Sequence, residues 1–139
     1  MTEDLKIYKV NYADVIKEYP GLYEEIFDDV GVGNLPTYVY IGFVGREYIG
    51  FMAGYLHKVG CIYMQNGGFV DKYKGYNVPK LFREIIDFVQ KEYEYIIFRT
   101  ENTNISMIKV ALNAGFLIVG TRLDGVLFVE LMKERTNAN

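Results

Sequence analysis

The stretch GGFVDKYKGYNVPKLFREIIDFVQKEYEYIIFRT, Gly67 to Thr100, decides the fold, because it reads as strand, loop, helix, strand without interruption. Val78, Leu81, Phe82, Ile85, Ile86 and Val89 recur at i, i+3, i+4 and i+7, with Lys80, Arg83, Glu84, Asp87 and Gln90 on the opposite side. That is one apolar stripe on a helix. The run from Tyr95 to Thr100 is short, aromatic and β-branched, as a strand requires. A helix joining two strands at this length is a crossover between parallel neighbours.

Upstream, LKIYKVNY (Leu5–Tyr12) alternates as a first strand, and Asp14 is expected to cap a helix that Pro20-Gly21 interrupts. Leu22, Tyr23, Ile26, Phe27 and Val30 form a second helical stripe closed by Gly31. TYVYIGFVGREYIGFMAGYLH then places two apolar runs around Gly45-Arg46, a hairpin signal, and Gly60 introduces another strand. Downstream, Asn104 caps and Gly115 stops a helix that is apolar nearly all round and is expected to be buried. Two strands joined at Asp124-Gly125 close the chain. The order β–α–β–β–β–α–β–α–β–β predicts an α+β fold, with a mixed, mostly antiparallel sheet of about six to seven strands and about four helices.

Composition narrows the function. The 139 residues suit a single domain over 1–139. Half are hydrophobic and 24% charged. A net charge of −3 argues against a nucleic-acid surface. Cys61 is the one cysteine, so no internal disulfide forms. MTEDLKIYKV has no signal-length apolar run, and no stretch approaches the roughly 20 apolar residues of a membrane span. The expectation is a cytoplasmic protein with neither a membrane nor a nucleic-acid partner. One His and one Cys without ligand spacing point to no metal site.

The loop KGYNVP (Lys74–Pro79) precedes a helix N-terminus, where unpaired N–H groups and the dipole attract anions. Asn77 is placed as cap and Pro79 in the first turn, where a missing donor costs least. Lys80 opposes the dipole unless an anion sits there, and Lys72 and Lys74 stand just before it. Lysines at such junctions are also simply solvated, and the loop alone does not decide between these readings.

Together with Gly67-Gly68 before the loop and NTNISMIKVALNAGF (Asn102–Phe116) after it, the chain resembles the GNAT superfamily of acetyl-CoA-dependent N-acetyltransferases, in element order from about Tyr38 to Lys133. The family's pyrophosphate loop, Gln/Arg-x-x-Gly-x-Gly/Ala, falls on Lys74–Pro79, with Asn77 and Pro79 at its glycine positions. Asn tolerates positive φ and keeps a glycine's backbone shape, whereas Pro79 removes one donor to a charged group, about 1.5–3 kcal/mol. The resemblance implies acetyl-CoA or another acyl-CoA as co-substrate and an amine as acceptor. It implies a pantetheine arm on the backbone of Gly68, Phe69 and Val70, and a pyrophosphate on Lys74, Gly75, Tyr76, Asn77, Val78, Pro79 and Lys80. Asn104 and Met107 complete the implied cofactor site. Gly67-Gly68 has two open readings, a bulge or a close approach of that arm.

The family's catalytic positions hold other groups. Its tyrosine falls on Ala111 and its carboxylate near Arg99 or Met64. The substitutes are Glu101 as base and Tyr63 as acid, with Gln65 nearby; Tyr55, Tyr73 and His57 are further candidates. Each also has a plain role in packing or at the surface. The alternatives to an acetyltransferase are a catalytically inactive GNAT-like module that binds CoA or protein partners, and a ligand-binding α+β domain of another family. The tyrosine-rich hairpin is a candidate homodimer interface.

Overall fold

Alternation in the N-terminal half and helical periodicity in the C-terminal half become a seven-stranded sheet in the computed structural model, which describes residues 5–18, 38–69 and 78–136. The strands are β1 Leu5–Asn11, β2 Tyr38–Val44, β3 Glu47–Lys58, β4 Cys61–Phe69, β5 Tyr95–Glu101, β6 Leu117–Asp124 and β7 Val126–Glu134. Three helices are described: α1 Tyr12–Glu18, α2 Val78–Val89 and α3 Ile105–Asn113. The helix expected over Leu22–Val30 lies outside the described residues. The chain divides into two compact units, residues 1–55 with 64–77, and residues 56–63 with 78–139.

The first unit runs in the order β1-β2-β3-β4. β2 and β3 pair antiparallel through Gly45-Arg46, and Gly45 takes the φ of 64° that so tight a turn needs. The register sets Val39 opposite Ala53 and Ile41 opposite Phe51, and these four form a buried cluster backed by Val10, Tyr12, Phe43 and Tyr48. α1 begins at Tyr12 rather than after Asp14. Asp14 therefore lies in the first turn, where its carboxylate meets the positive end of the dipole instead of capping it.

The second unit runs β3-β4-β5-β7-β6. Here β4 pairs parallel with β5, as the crossover predicts, over Cys61↔Tyr95, Ile62↔Ile96 and Tyr63↔Ile97. The buried face of α2 is Phe82, Ile85, Ile86 and Val89, with Val78 and Leu81 of the predicted stripe half-buried, whereas Gln90, expected on the opposite side, is only 4% exposed because it follows the last helical residue and bonds Lys133. The Phe116 ring, 1% exposed, sits 6.0 Å from Phe82 and 5.1 Å edge-on from Phe98, joining α2 to β5.

The expectation that α3 is buried is corrected. Only Ala111 is buried, while Ile105 is 53% and Leu112 44% exposed. Apolar residues all round a nine-residue helix select no face, and packing covers one narrow strip of it.

Candidate functional site

In the first unit the expected arm-binding strand ends in Gly67, Gly68 and Phe69. A Cβ on Gly67 would come within 3.1 Å of the Phe51 carbonyl oxygen and 3.3 Å of Met52 Cγ. β3 therefore crowds position 67, so a side chain there would press on the Phe51 carbonyl, a constraint on this position that involves no ligand. Gln65 is half-buried on the same strand, and Met64 is 6% exposed and part of the core. Residues 70–77, and with them Val70, Tyr73, Lys74, Gly75, Tyr76 and Asn77, lie outside the described residues.

In the second unit the first turn of α2 holds Val78 and Pro79, both half-buried, and exposed Lys80, with no acidic residue among them. Asn104 does what its sequence position promised for α3. Its Oδ1 accepts from the Met107 N–H at 3.3 Å, and its Nδ2 donates to Thr100 Oγ1 at 3.2 Å. The side chain thus ties the helix start to the end of β5, and it positions Met107 through the helix backbone. Glu101 is exposed at that same strand end, where its carbonyl accepts from the Asn104 N–H at 2.9 Å.

Tyr63 and Glu101 are not brought together. Tyr63 is half-buried opposite Ile97, four residues before Glu101, which is about 13 Å along a strand. The β4–β5 ladder ends at that Tyr63–Ile97 pair, although β5 continues to Glu101. Ala111 is fully buried, with its carbonyl accepting from the Phe116 N–H at 3.0 Å. A tyrosine has no space there.

Arg99 is held on one face of β5, its guanidinium 4.7 Å over the Phe128 ring and 3.9 Å from Asp124. Directly opposite it on β7 stands Glu130, half-buried, a carboxylate that the sequence reading missed. Alternation along Phe128, Glu130 and Met132 was the available signal, but the pairing of β7 with β5 is needed to bring it to Arg99. His57 is exposed and Tyr55 half-buried on β3. No group of three His, Cys, Asp or Glu among the described residues is arranged to hold a metal. No helix among them is long and apolar enough to cross a membrane.

In this sheet β7 lies between β5 and β6 and β4 pairs parallel with β5, and the fold superposes on solved structures over nearly the whole chain. A GNAT family acetyltransferase from Elizabethkingia anophelis with acetyl-CoA bound superposes with a TM-score of 0.72 at 14% identity, covering 94% of this chain and 98% of that one. This is the GNAT fold. Arabidopsis thaliana Naa50, in complex with a bisubstrate analogue, gives 0.69 at 15% identity over 94% and 99% of the two chains. The ribosomal-protein-S18-alanine N-acetyltransferase from Escherichia coli gives 0.69 at 10% identity over 98% and 97%. No protein-family model and no curated protein matches the chain. The GNAT fold is thus carried here by a sequence of low identity to these structures.

Cys61 is no nucleophile in this setting. It is fully buried, and burial pushes its thiol above the ordinary 9.0, with Lys58 pulling partly the other way. A raised acid pKa in the folded state contributes stability below the unfolded pKa and loses it as pH climbs through the folded one. Urea midpoints are therefore expected to fall above pH 9 in the native chain, and less steeply in Cys61→Ala. Slow alkylation of the native thiol at pH 8, becoming fast in denaturant, is the companion measurement.

Proposed function

We propose that this chain is one acyltransferase domain, a cytoplasmic enzyme that transfers the acetyl group of acetyl-CoA to an amine of a small molecule or protein. The observation that carries the reading is full-length likeness to GNAT-fold acetyltransferases, among them structures with acetyl-CoA bound. In this reading the backbone of Gly68, Phe69 and Val70 holds the pantetheine arm. The amides from Gly75 to Lys80 take the pyrophosphate, and Lys74 and Lys80 supply positive charge that Pro79 cannot supply as a donor. The bare first turn of α2, with Lys80 and no carboxylate, suits an anion.

The chemistry is direct attack of a neutral amine on the thioester carbonyl, collapse of the tetrahedral intermediate, and protonation of the leaving thiolate. Glu101 is assigned as base through a chain of water, because it stands about 13 Å along the sheet from Tyr63, the assigned proton donor at the thioester. Gln65 orients the acceptor. Proximity carries much of the rate where acid and base are displaced from their usual places.

Calorimetric titration with acetyl-CoA, followed by thiol release against a panel of amines, tests this. Binding followed by thiol release is expected. No binding at millimolar cofactor would sink the enzyme, and binding without release across the panel would leave a CoA-binding module. Asn77→Gly with Pro79→Gly restores one donor, so cofactor affinity is expected to rise on the order of tenfold, the equivalent of about 1.5 kcal/mol. Unchanged affinity would refute the assignment of the loop.

A further inference from the structure

In the second unit the burial along β5 and β7 alternates. Ile96, Phe98, Val129 and Leu131 belong to the core, whereas Ile97, Arg99, Phe128, Glu130 and Met132 are half-buried on the opposite face. Register orders that second face into rows. Tyr63, Ile97 and Met132 stand side by side on β4, β5 and β7. Arg99 and Glu130 come two residues on, and Glu101 and Phe128 two further. The row at Tyr63 is apolar apart from its hydroxyl, and the rows beyond it carry charge. Arg99 is the prepared group among them. Its guanidinium lies 4.7 Å over the Phe128 ring, which fixes its plane. Its one ion pair among the described residues, to a 62% exposed Asp124 side chain at 3.9 Å, is too long for a hydrogen bond. Glu130 stands directly opposite without pairing with it. The fork of N–H donors along the guanidinium edge is therefore open to a carboxylate.

We infer that the amine acceptor is a free diamino acid. Its carboxylate lies on Arg99, its α-ammonium beside Asp124 and Glu130, its methylene chain along Ile97 and Met132, and its terminal amine at Tyr63. The inference rests on the acetyltransferase reading above and names its acceptor. Charge selects this class. Glu101, Glu130 and Asp124 outweigh Arg99 and Arg122 on this face, so a net cationic acceptor with one carboxylate is attracted and a plain carboxylic acid is not. Distance selects it too. Phe128, under the guanidinium, lies opposite Glu101, about 13 Å along the sheet from the row of Tyr63, so carboxylate and reacting amine are several bonds apart. A lysine inside a protein has its carboxyl and α-amino groups in peptide bonds and offers Arg99 no charge. In the reaction the terminal nitrogen forms its bond to the acetyl carbon as the C–S bond breaks. One amine proton passes through water to Glu101, and the thiolate takes one from Tyr63.

Thiol release from acetyl-CoA with free lysine, lysinamide and cadaverine as acceptors tests this. Lysine is expected to show a kcat/KM on the order of tenfold above the other two, mainly through KM, because neither of them carries the carboxylate. Arg99→Gln is expected to erase that ratio. Arg99→Lys keeps the charge but not the fork, and is expected to retain part of it. An Arg99 that only braced the sheet would lower all three rates together and leave the ratio unchanged. Equal use of the three acceptors overturns the inference while the acetyltransferase stands. So does an unchanged ratio in Arg99→Gln, or acetylation of other amines but not of lysine. Thiol release with no amine at all would instead sink the acetyltransferase reading, and calorimetric titration of the native chain with lysine then decides on the site. Binding that Arg99→Gln abolishes supports it, and no binding at millimolar lysine overturns it.

Discussion

Phe116→Ala is expected to lower the unfolding free energy by about 3–5 kcal/mol, the range for emptying a buried aromatic site. Phe116 is 1% exposed and is the first residue after the turn that ends α3. Its ring is tilted against Phe82 of α2 and edge-on to Phe98 of β5, so one side chain joins a helix, a strand and the start of the last hairpin. Such ring pairs add about 0.5–1.5 kcal/mol each beyond area burial. The three elements around it are regular and cannot collapse into the void, which places the cost toward the top of the range. A thermal midpoint lower by on the order of 10 °C is the corresponding readout for a domain of this size. Phe116→Leu keeps most of the volume and is expected to cost about 1–2 kcal/mol. A loss below about 2 kcal/mol for the alanine variant, by urea denaturation, would mean that the ring is not the keystone of this core.

That position was readable in part. Gly115-Phe116 stood out at the end of a capped helix, and Phe82 belonged to a complete apolar stripe. Where periodicity is unambiguous, as in α2, the sequence predicts the element and its apolar face, and it misses only the burial of Gln90, which depends on Lys133 far along the chain. Where every position is apolar, as in α3, the pattern has no phase and the buried side is settled by neighbours far along the chain. The candidate site divides the same way. Asn104 was legible because capping is local chemistry within three residues. Gly67 was read as a bulge or a ligand approach, but its reason is the Phe51 carbonyl, visible only once β3 lies against it. Glu130 was invisible because its meeting with Arg99 depends on the β5–β7 register. Arg99 and Ala111 looked like lost catalytic groups. In the fold Arg99 is occupied by Phe128 and Asp124, and Ala111 is core, so neither position is a vacancy awaiting the usual residue.

Gln90→Leu is the second substitution expected to act strongly, at about 3 kcal/mol. Lys133 on β7 faces the helix side of the sheet and is 8% exposed, an unusual place for an ammonium. Its Nζ donates to Gln90 Oε1 at 2.8 Å, and the Gln90 Nε2 donates back to the Lys133 carbonyl at 3.2 Å. Gln90 itself is 4% exposed just past the end of α2, where a cation is also favoured by the dipole. Leucine removes both bonds. The bond to the charged group is worth about 1.5–3 kcal/mol and the neutral one about 0.5–1.5 kcal/mol. Part of the loss is recovered because a polar cleft of about 340 Å³, lined by Asp87, Gln90, Lys91, Lys133, Arg135 and Thr136, has room to hydrate the ammonium. Gln90→Glu gains an ion pair with Lys133 but loses the Nε2 donor to the Lys133 carbonyl and places a negative charge at the helix C-terminus, so it is expected to cost less than Gln90→Leu without being stabilising. The decisive comparison is the cycle of Gln90→Leu, Lys133→Met and the double variant, measured by urea denaturation. Replacing both partners by apolar side chains leaves no orphaned charge, so the double variant is expected to be more stable than Gln90→Leu alone. An additive cycle would show that Gln90 and Lys133 meet without mattering to each other. Gly115 adds an independent constraint: its φ is 101°, and a Cβ there would lie 3.0 Å from Lys133 Cε. The backbone after α3 is therefore shaped around the same lysine stem, and a coupled cycle would locate the force that holds that turn against β7.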